Sequence, residues 1–298
     1  LFASYLSRDK QYPTLLITSK EGKTEWVSPT DVQNLAVGTS EFTCCQRNHI
    51  FGDRVVTCDR GITRTILQKM LDAKISHHFQ LEQTLRARLY ISFSNWWLRA
   101  NSQLEESYSD SLASFKKLLR WDENEDWKDQ NGVSVLLYAV IQNNVNIVQI
   151  LLDSKSCTKE ALNSIYFQDG SIVEFGIPAR VQILIFAMMS ANVKIVKMLL
   201  EKGANPNVAD ENGVDAIMYA SICGRVNNIK YWLTRYPNWN INRGNKMNGS
   251  TALHCAVYFS RCKLQTVKIL VDMGANLDVL NSGGASILCN AVDSVDSN

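Results

Sequence analysis

The sequence predicts a mainly α solenoid: four to five degenerate helix–turn–helix repeats, preceded by a helical cap and a short β-hairpin. Three observations carry this. A phrase recurs, as Ile195-Val196-Lys197-Met198-Leu199-Leu200-Glu201-Lys202-Gly203-Ala204-Asn205 and again as Val267-Lys268-Ile269-Leu270-Val271-Asp272-Met273-Gly274-Ala275-Asn276. Its first half stands a third time at Ile147–Leu152. Ahead of each copy lies a second apolar helix pattern centred on a small residue: Ala139, Ala187, Ala220, Ala256 and, without a partner phrase, Ala291. In most copies that helix is preceded by a glycine turn and a capping residue. Self-similarity at a fixed period names the architecture before any local propensity does.

In chain order, residues 1–60 have no helical period. Leu15-Leu16-Ile17-Thr18, Glu21-Gly22 and Thr24-Glu25-Trp26-Val27 read as a hairpin closed by a glycine turn. Ser28-Pro29-Thr30-Asp31 reads as a helix start. From Ile62 the apolar residues fall at helical spacing: Ile62, Ile66 and Met70, beside Leu67, Leu71, Ile75 and His78. A second helix follows over Leu81–Arg99 with Leu85, Leu89, Phe93, Trp96 and Trp97, then a polar linker over Asn101–Asp110. A shorter helix carries Leu112, Phe115, Leu118 and Leu119. Residues 61–125 are expected to cap the first repeat, because a solenoid's end unit otherwise exposes its apolar face. Trp121 and Trp127 stand at that junction. The domains expected are 1–60, 61–125 and 126–298.

Within the repeats each position has a physical task. Gly132, Gly213 and Gly249 take the turn before the first helix, where a positive φ suits glycine. Ser134, Asp215, Thr251 and Ser286 cap that helix. The alanines let neighbouring helices approach, and the Ile/Val/Leu pairs form the buried stripe of the second helix. Gly203 and Gly274 end it in the left-handed conformation. Ala187 and Ala220 are 33 residues apart; the other intervals are longer, and the largest insertion falls between Asp153 and Pro178. Residues 154–177 are expected to form a finger or extra short helix outside the stack, removable without loss of the fold.

The recurring phrase, together with Gly249-Ser250-Thr251-Ala252-Leu253-His254-Cys255-Ala256, resembles the ankyrin repeat over about 129–292. The likeness is degraded. The family histidine survives only as His254, and the family proline is replaced by Val135, Ile183, Ala216 and Ala252. Repeat two lacks the turn glycine, and repeat three has Arg235-Tyr236-Pro237 where Gly-Ala is expected. The resemblance implies a binding surface and no catalysis. It also implies that the turn tips and the open side of the first helices form a concave strip for a protein or peptide. That strip comprises Gln130, Asn131, Val133, Ile141 and Gln142, then Met188, Met189 and Ser190. It continues with Glu211, Asn212, Val214, Ile222 and Cys223, then Met247, Asn248, Ser250, Tyr258 and Phe259. Methionine and aromatic side chains there favour an adaptable apolar contact. For His254 the resemblance implies a hydrogen bond between neighbouring repeats.

Other chemistry is weakly marked. A net charge of +2 argues against nucleic acid and anionic membranes as partners. Eight cysteines without a CxxC pair fit a reducing, cytoplasmic setting better than a disulfide framework. Val181–Leu200, the most apolar window, is amphipathic and is not a membrane span. Cys44, Cys45, His49 and Cys58 have zinc-ligand chemistry at a spacing that matches no common finger. Cys45 lacks a marked base and oxyanion site. His77 and His78 point about 100° apart on a helix, so they cannot share an ion. Asp122, Glu123, Glu125 and Asp126 read as a solvated acidic run; Arg86, Arg88 and Arg99 with Trp96 and Trp97 have the composition of a stacking platform for single-stranded nucleic acid, but the tryptophans continue the helix's apolar stripe and read as core. The expectation is a monomeric, non-catalytic protein-interaction module, an adaptor or targeting surface, with no cofactor and no metal. The alternative is the regulatory ankyrin region of a larger enzyme or sensor whose catalytic domain lies upstream of Leu1, since the sequence starts without methionine.

Overall fold

The computed structural model describes residues 14–17, 24–27, 45, 48–55, 58–97, 111–122, 127–168, 172, 175–259 and 263–296. The expected helix start at 28–31, the polar linker at 101–110 and the acidic residues 123–126 lie outside them. The chain forms two compact units. One comprises Leu1–Glu125 with Ile172–Ile177, and the other Asp126–Ser171 with Pro178–Asn298.

In the first unit, β1 (Thr14–Ile17) pairs antiparallel with β2 (Thr24–Val27), Thr14 opposite Val27, as the glycine-turn signal predicts. A smaller hairpin pairs β3 (Ile50–Phe51) with β4 (Arg54–Val55). Two helices follow, α1 (Asp59–Gln80) and α2 (Thr84–Trp97), packed as a helical hairpin. The buried row of α1 is Leu67, Leu71, Lys74 and His78, spaced one or two turns apart. The parallel row fails: Ile62 and Ile66 are about half exposed. Periodicity alone fitted both rows, and only packing chooses between them. A further helix of this unit, α3 (Leu112–Leu118), is capped by Ser111, whose Oγ accepts from Ser114 N–H at 3.1 Å.

Arg88 of α2 is fully buried, and its guanidinium donates to the carbonyls of Leu119 and Arg120 at 3.1 and 2.9 Å while lying 4.6 Å over the Trp121 ring. A guanidinium at the carboxyl end of a helix satisfies carbonyls that have no intrahelical partner. Arg88 is therefore a structural bolt rather than part of a basic surface. His78 is a core histidine: Nδ1 is 2.7 Å from Gln83 Oε1, and the ring stacks on Tyr90 at 5.2 Å.

The second unit is the repeat array. Its helix pairs are α4 (Val135–Ile141) with α5 (Val145–Leu152) and, after the short α6 (Lys159–Leu162), α7 (Ile183–Ser190) with α8 (Val193–Glu201). Then come α9 (Ala216–Ile222) with α10 (Val226–Arg235), α11 (Ala252–Phe259) with α12 (Lys263–Asp272), and α13 (Ile287–Asp296). First helices α4, α7, α9, α11 and α13 contact one another in that order, and second helices α5, α8, α10 and α12 do likewise. Ala139, Ala187, Ala220 and Ala256 are completely buried between first helices. All four expected caps are in place. Ser134 accepts from Leu137 N–H, Asp215 from Met218, Thr251 from His254 and Ser286 from Cys289. Asn144 and Asn192 cap two second helices in the same way.

The insertion does not stand outside this stack, which corrects the expectation that it can be trimmed. Its α6 is followed by β5 (Ile165–Tyr166), which pairs antiparallel with β6 (Val181–Gln182) at the start of α7. Leu162, Tyr166 and Val181 are buried. The Tyr166 hydroxyl lies 2.8 Å from Ser134 Oγ, and Phe167 meets Phe186 edge to face at 5.9 Å. Between β5 and β6 the chain enters the first unit, where Phe175 is buried against Tyr90 and Phe93 of α2, at ring separations of 4.7 and 5.5 Å. A segment that buries its aromatics in two cores cannot be discarded at loop-entropy cost.

Candidate functional site

The turns before the first helices are the surface a repeat array offers, so their construction decides what they can present. In repeats one, three, four and five the turn closes on an Asp or Asn. Backbone pairs join Asp129 to Val133, Asp210 to Val214, Asn245 to Ser250 and Asn281 to Ala285. The side chain then braces the turn. Asp129 Oδ1 accepts from the N–H groups of Asn131 and Val133, Asp210 Oδ1 from Val214, Asn245 Oδ1 from Asn248, and Asn281 Oδ1 from Gly283 and Ala285. In repeats one and three the second carboxylate oxygen takes a phenol: Tyr138 Oη donates to Asp129 and Tyr219 Oη to Asp210, each at 2.8 Å. Burial and the adjacent carboxylate push the Tyr219 phenol far above its ordinary range, so it stays a donor.

Successive turns are tied to each other. Lys246 N–H donates to Asn212 carbonyl and Ser282 N–H to Asn248 carbonyl, both at 2.8 Å. That approach explains two glycines. A Cβ on Gly213 would stand 2.8 Å from Lys246 Cγ, and one on Gly249 would stand 2.9 Å from Ser282 N, with φ of +73° and +68° besides. The tips of repeats three, four and five thus form one hydrogen-bonded row exposing Glu211, Asn212, Met247 and Asn248.

A second row of polar ties runs behind. Asn163 Oδ1 accepts from Asn205 N–H at 2.7 Å and Asn242 Oδ1 from Asn276 N–H at 2.8 Å. Asn205, Asn240 and Asn276 each accept from the N–H two residues on. Repeat three therefore keeps the asparagine turn although its Gly-Ala is lost. Asn228 Nδ2 donates to Ala191 carbonyl at 3.0 Å, binding α10 to the end of α7.

His254 performs its expected task. Thr251 N–H donates to Nδ1, at 3.3 Å, which leaves the proton on Nε2, 3.4 Å from the Ala285 carbonyl of the next repeat. Burial holds this imidazole below its ordinary pKa, so it is neutral. Beside it the buried Cys255 thiol is pushed up to about 12 by burial first and by Asp215 second. A thiol so held is protonated and not a nucleophile.

Of the residues read from sequence as a binding strip, the structure exposes Gln130, Asn131, Glu211, Asn212, Met247, Asn248, Tyr258 and Phe259 and half-exposes Met189, Ser190, Ile222 and Cys223. It removes others. Met188 is completely buried and Val214 is 8% exposed, so neither can meet a partner. Val133, Ile141, Gln142 and Ser250 are buried too. The valines lie inside the turn they close, and Met188 packs within the row of first helices. In α11, residues 252–257 are all buried, and then Tyr258 and Phe259 emerge 43% and 58% exposed, their rings edge to face at 4.6 Å. Sequence reasoning missed Leu264, Leu277, Leu280 and Leu288, all more than half exposed and all in repeats four and five.

Among the described residues, Cys45, His49 and Cys58 are the group that could hold a metal ion. No helix among them is long and apolar enough to cross a membrane.

The family model for ankyrin repeats matches three times, over residues 106–210, 165–243 and 184–281, together more than half of the chain. The stacked helix pairs, glycine turns and inter-repeat histidine are those of this class, and the chain belongs to the ankyrin repeat family. Members of this family generally mediate protein–protein interaction and are typically non-catalytic. A search of curated proteins finds no match to the sequence.

Proposed function

We propose that this protein is a cytoplasmic, non-catalytic adaptor or targeting module. It seats a protein or peptide along the concave strip of turn tips and first helices, centred on repeat four. The observation that carries this reading is the Tyr258–Phe259 pair. Two aromatic rings, held edge to face and left open to solvent at the end of an otherwise buried helix, are the anchor type that dominates interface energetics. Met247, 67% exposed at the repeat-four tip, adds an adaptable apolar contact. The tied row of tips supports the reading further, because a pre-organised surface spends less ordering entropy on binding.

Hydrogen exchange of the protein with and without a partner recovered by affinity capture tests this reading. Added protection should concentrate at 211–212, 247–248 and 258–259. Protection confined to residues 59–97 would move the partner to the α1–α2 hairpin.

A further inference from the structure

We infer that Cys45, His49 and Cys58 form a zinc site that fastens the β3–β4 hairpin to the start of α1. The three ligand atoms lie within 4.8 Å of one another. Cys45 Sγ and Cys58 Sγ are 3.7 Å apart. Two thiolates at about 2.3 Å from one tetrahedral zinc stand about 3.8 Å apart, so the sulfurs already hold a shared-ion separation. Nε2 of His49 is buried and accepts or donates no hydrogen bond among the described residues. An imidazole nitrogen shielded from water needs a partner, and a metal supplies one.

The local chain explains why a metal is wanted here. Asn48 and His49 are consecutive left-handed residues, at φ 52° and 59°, a conformation that costs L-residues energy unless something enforces it. The hairpin that follows has only two residue pairs, and its Ile50 and Val55 are 51% and 85% exposed. Such a hairpin is marginal by itself and finds little core to lean on. Three residues beyond its last strand stands Cys58, the N-cap of the 22-residue α1, whose side chain makes no capping hydrogen bond.

Two sulfurs and one imidazole nitrogen select zinc over calcium or magnesium, which take oxygen ligands. On binding, each thiol loses its proton to solvent, two sulfur–zinc bonds and one nitrogen–zinc bond form, and nothing is oxidised. The remaining coordination position is left for water or a further ligand; the adjacent Cys44 lies outside the described residues.

Metal analysis of the full chain, purified without chelator, is expected to give about one zinc per chain, as a single site requires. Cys58→Ser and His49→Ala should bring it near zero, and Cys157→Ser should leave it unchanged. Should the variants fail to fold, the wild-type chain decides. Replacing zinc by cobalt(II) should produce thiolate-to-cobalt absorption, and chelation should lower the melting temperature. Wild-type protein that takes up neither zinc nor cobalt, zinc retained in a folded Cys58→Ser chain, or a Cys45–Cys58 disulfide in the unreduced protein would each overturn the assignment.

Discussion

Repeats one and three brace their turns with aspartate, whereas repeats four and five use asparagine. The residue just before the packing alanine changes in step: Tyr138 and Tyr219 in the first pair, Cys255 and Asn290 in the second. A carboxylate has a second oxygen, and once buried it needs a second donor. The tyrosine hydroxyl is that donor in both aspartate repeats. An asparagine turn carries no full charge, and the tyrosine can go. Repeat two has neither: Phe186 stands at the tyrosine position and packs on Phe167, brought there by the insertion that replaces the turn. One helical frame thus accepts three turn chemistries, each matched by the residue just before its packing alanine.

The comparison can be broken, most severely at what the repeats share. Ala220 is completely buried between first helices. Ala220→Glu combines overpacking, which costs ~1–3 kcal/mol, with burial of a charge, which costs more still. Thermal melting should show the repeat unit largely unfolded; a wild-type melt would mean the alanine ladder is not a packing contact.

The carboxylate–phenol pair gives the next effect. Tyr219→Phe leaves Asp210 Oδ2 without its donor and should cost ~1.5–3 kcal/mol, as for a hydrogen bond to a charged group. Adding Asp210→Asn should recover much of that loss, because it recreates the repeat-four chemistry. Denaturant melts of both singles and the double form the cycle, and strict additivity would refute the coupling.

A smaller effect is expected with pH. The folded-state pKa of His254 is depressed by burial, so below its ordinary value of about 6.5 the unfolded chain binds the extra proton first. Stability should therefore be full above that pH and fall as pH drops toward the folded-state pKa. His254→Gln should flatten this part of the stability profile, and an unchanged acid slope would place its origin elsewhere.

The smallest effect is at Asp215. Burial raises its carboxyl pKa, and Oδ2 has no hydrogen-bond partner among the described residues. Repeats one, four and five put Ser or Thr at this cap. Asp215→Thr keeps the cap, removes a buried charge, and should be neutral or stabilising by up to ~1 kcal/mol. A clear loss in the same melts would show that Arg243, which favours the charged form, matters more than desolvation.

Most of the repeat unit was legible in the sequence, since its caps, glycines and alanines are local chemistry at a fixed spacing. The Asp-to-Tyr interval of nine residues was equally visible, at Asp129–Tyr138 and Asp210–Tyr219, and went unread. What was not legible depends on contacts far apart in sequence. Two rows of α1 have apolar spacing, and only tertiary packing buries Leu67 and Leu71 while exposing Ile62 and Ile66. Residues 154–177 broke the period and so read as dispensable; their aromatics are core because Tyr166 meets Ser134 and Phe175 meets α2. At the candidate site the errors were of depth. Met188 packs inside the row of first helices and Val214 inside the turn it closes, a depth that sequence spacing alone does not resolve. Tyr258 and Phe259 emerge into solvent at the end of an otherwise buried helix, as a place on the strip requires.

The partner-binding claim turns on those two rings. Both are more than a third exposed, so truncating them should change the melting temperature little, while hot-spot aromatics each carry ~2 kcal/mol or more of binding. The direct measurement is the affinity of the captured partner for the wild-type chain and for Tyr258→Ala with Phe259→Ala, alongside a thermal melt of each. Binding weaker by at least about tenfold, with an unchanged melt, is the predicted result. Equal affinity in a folded double variant would contradict it and take the partner off repeat four.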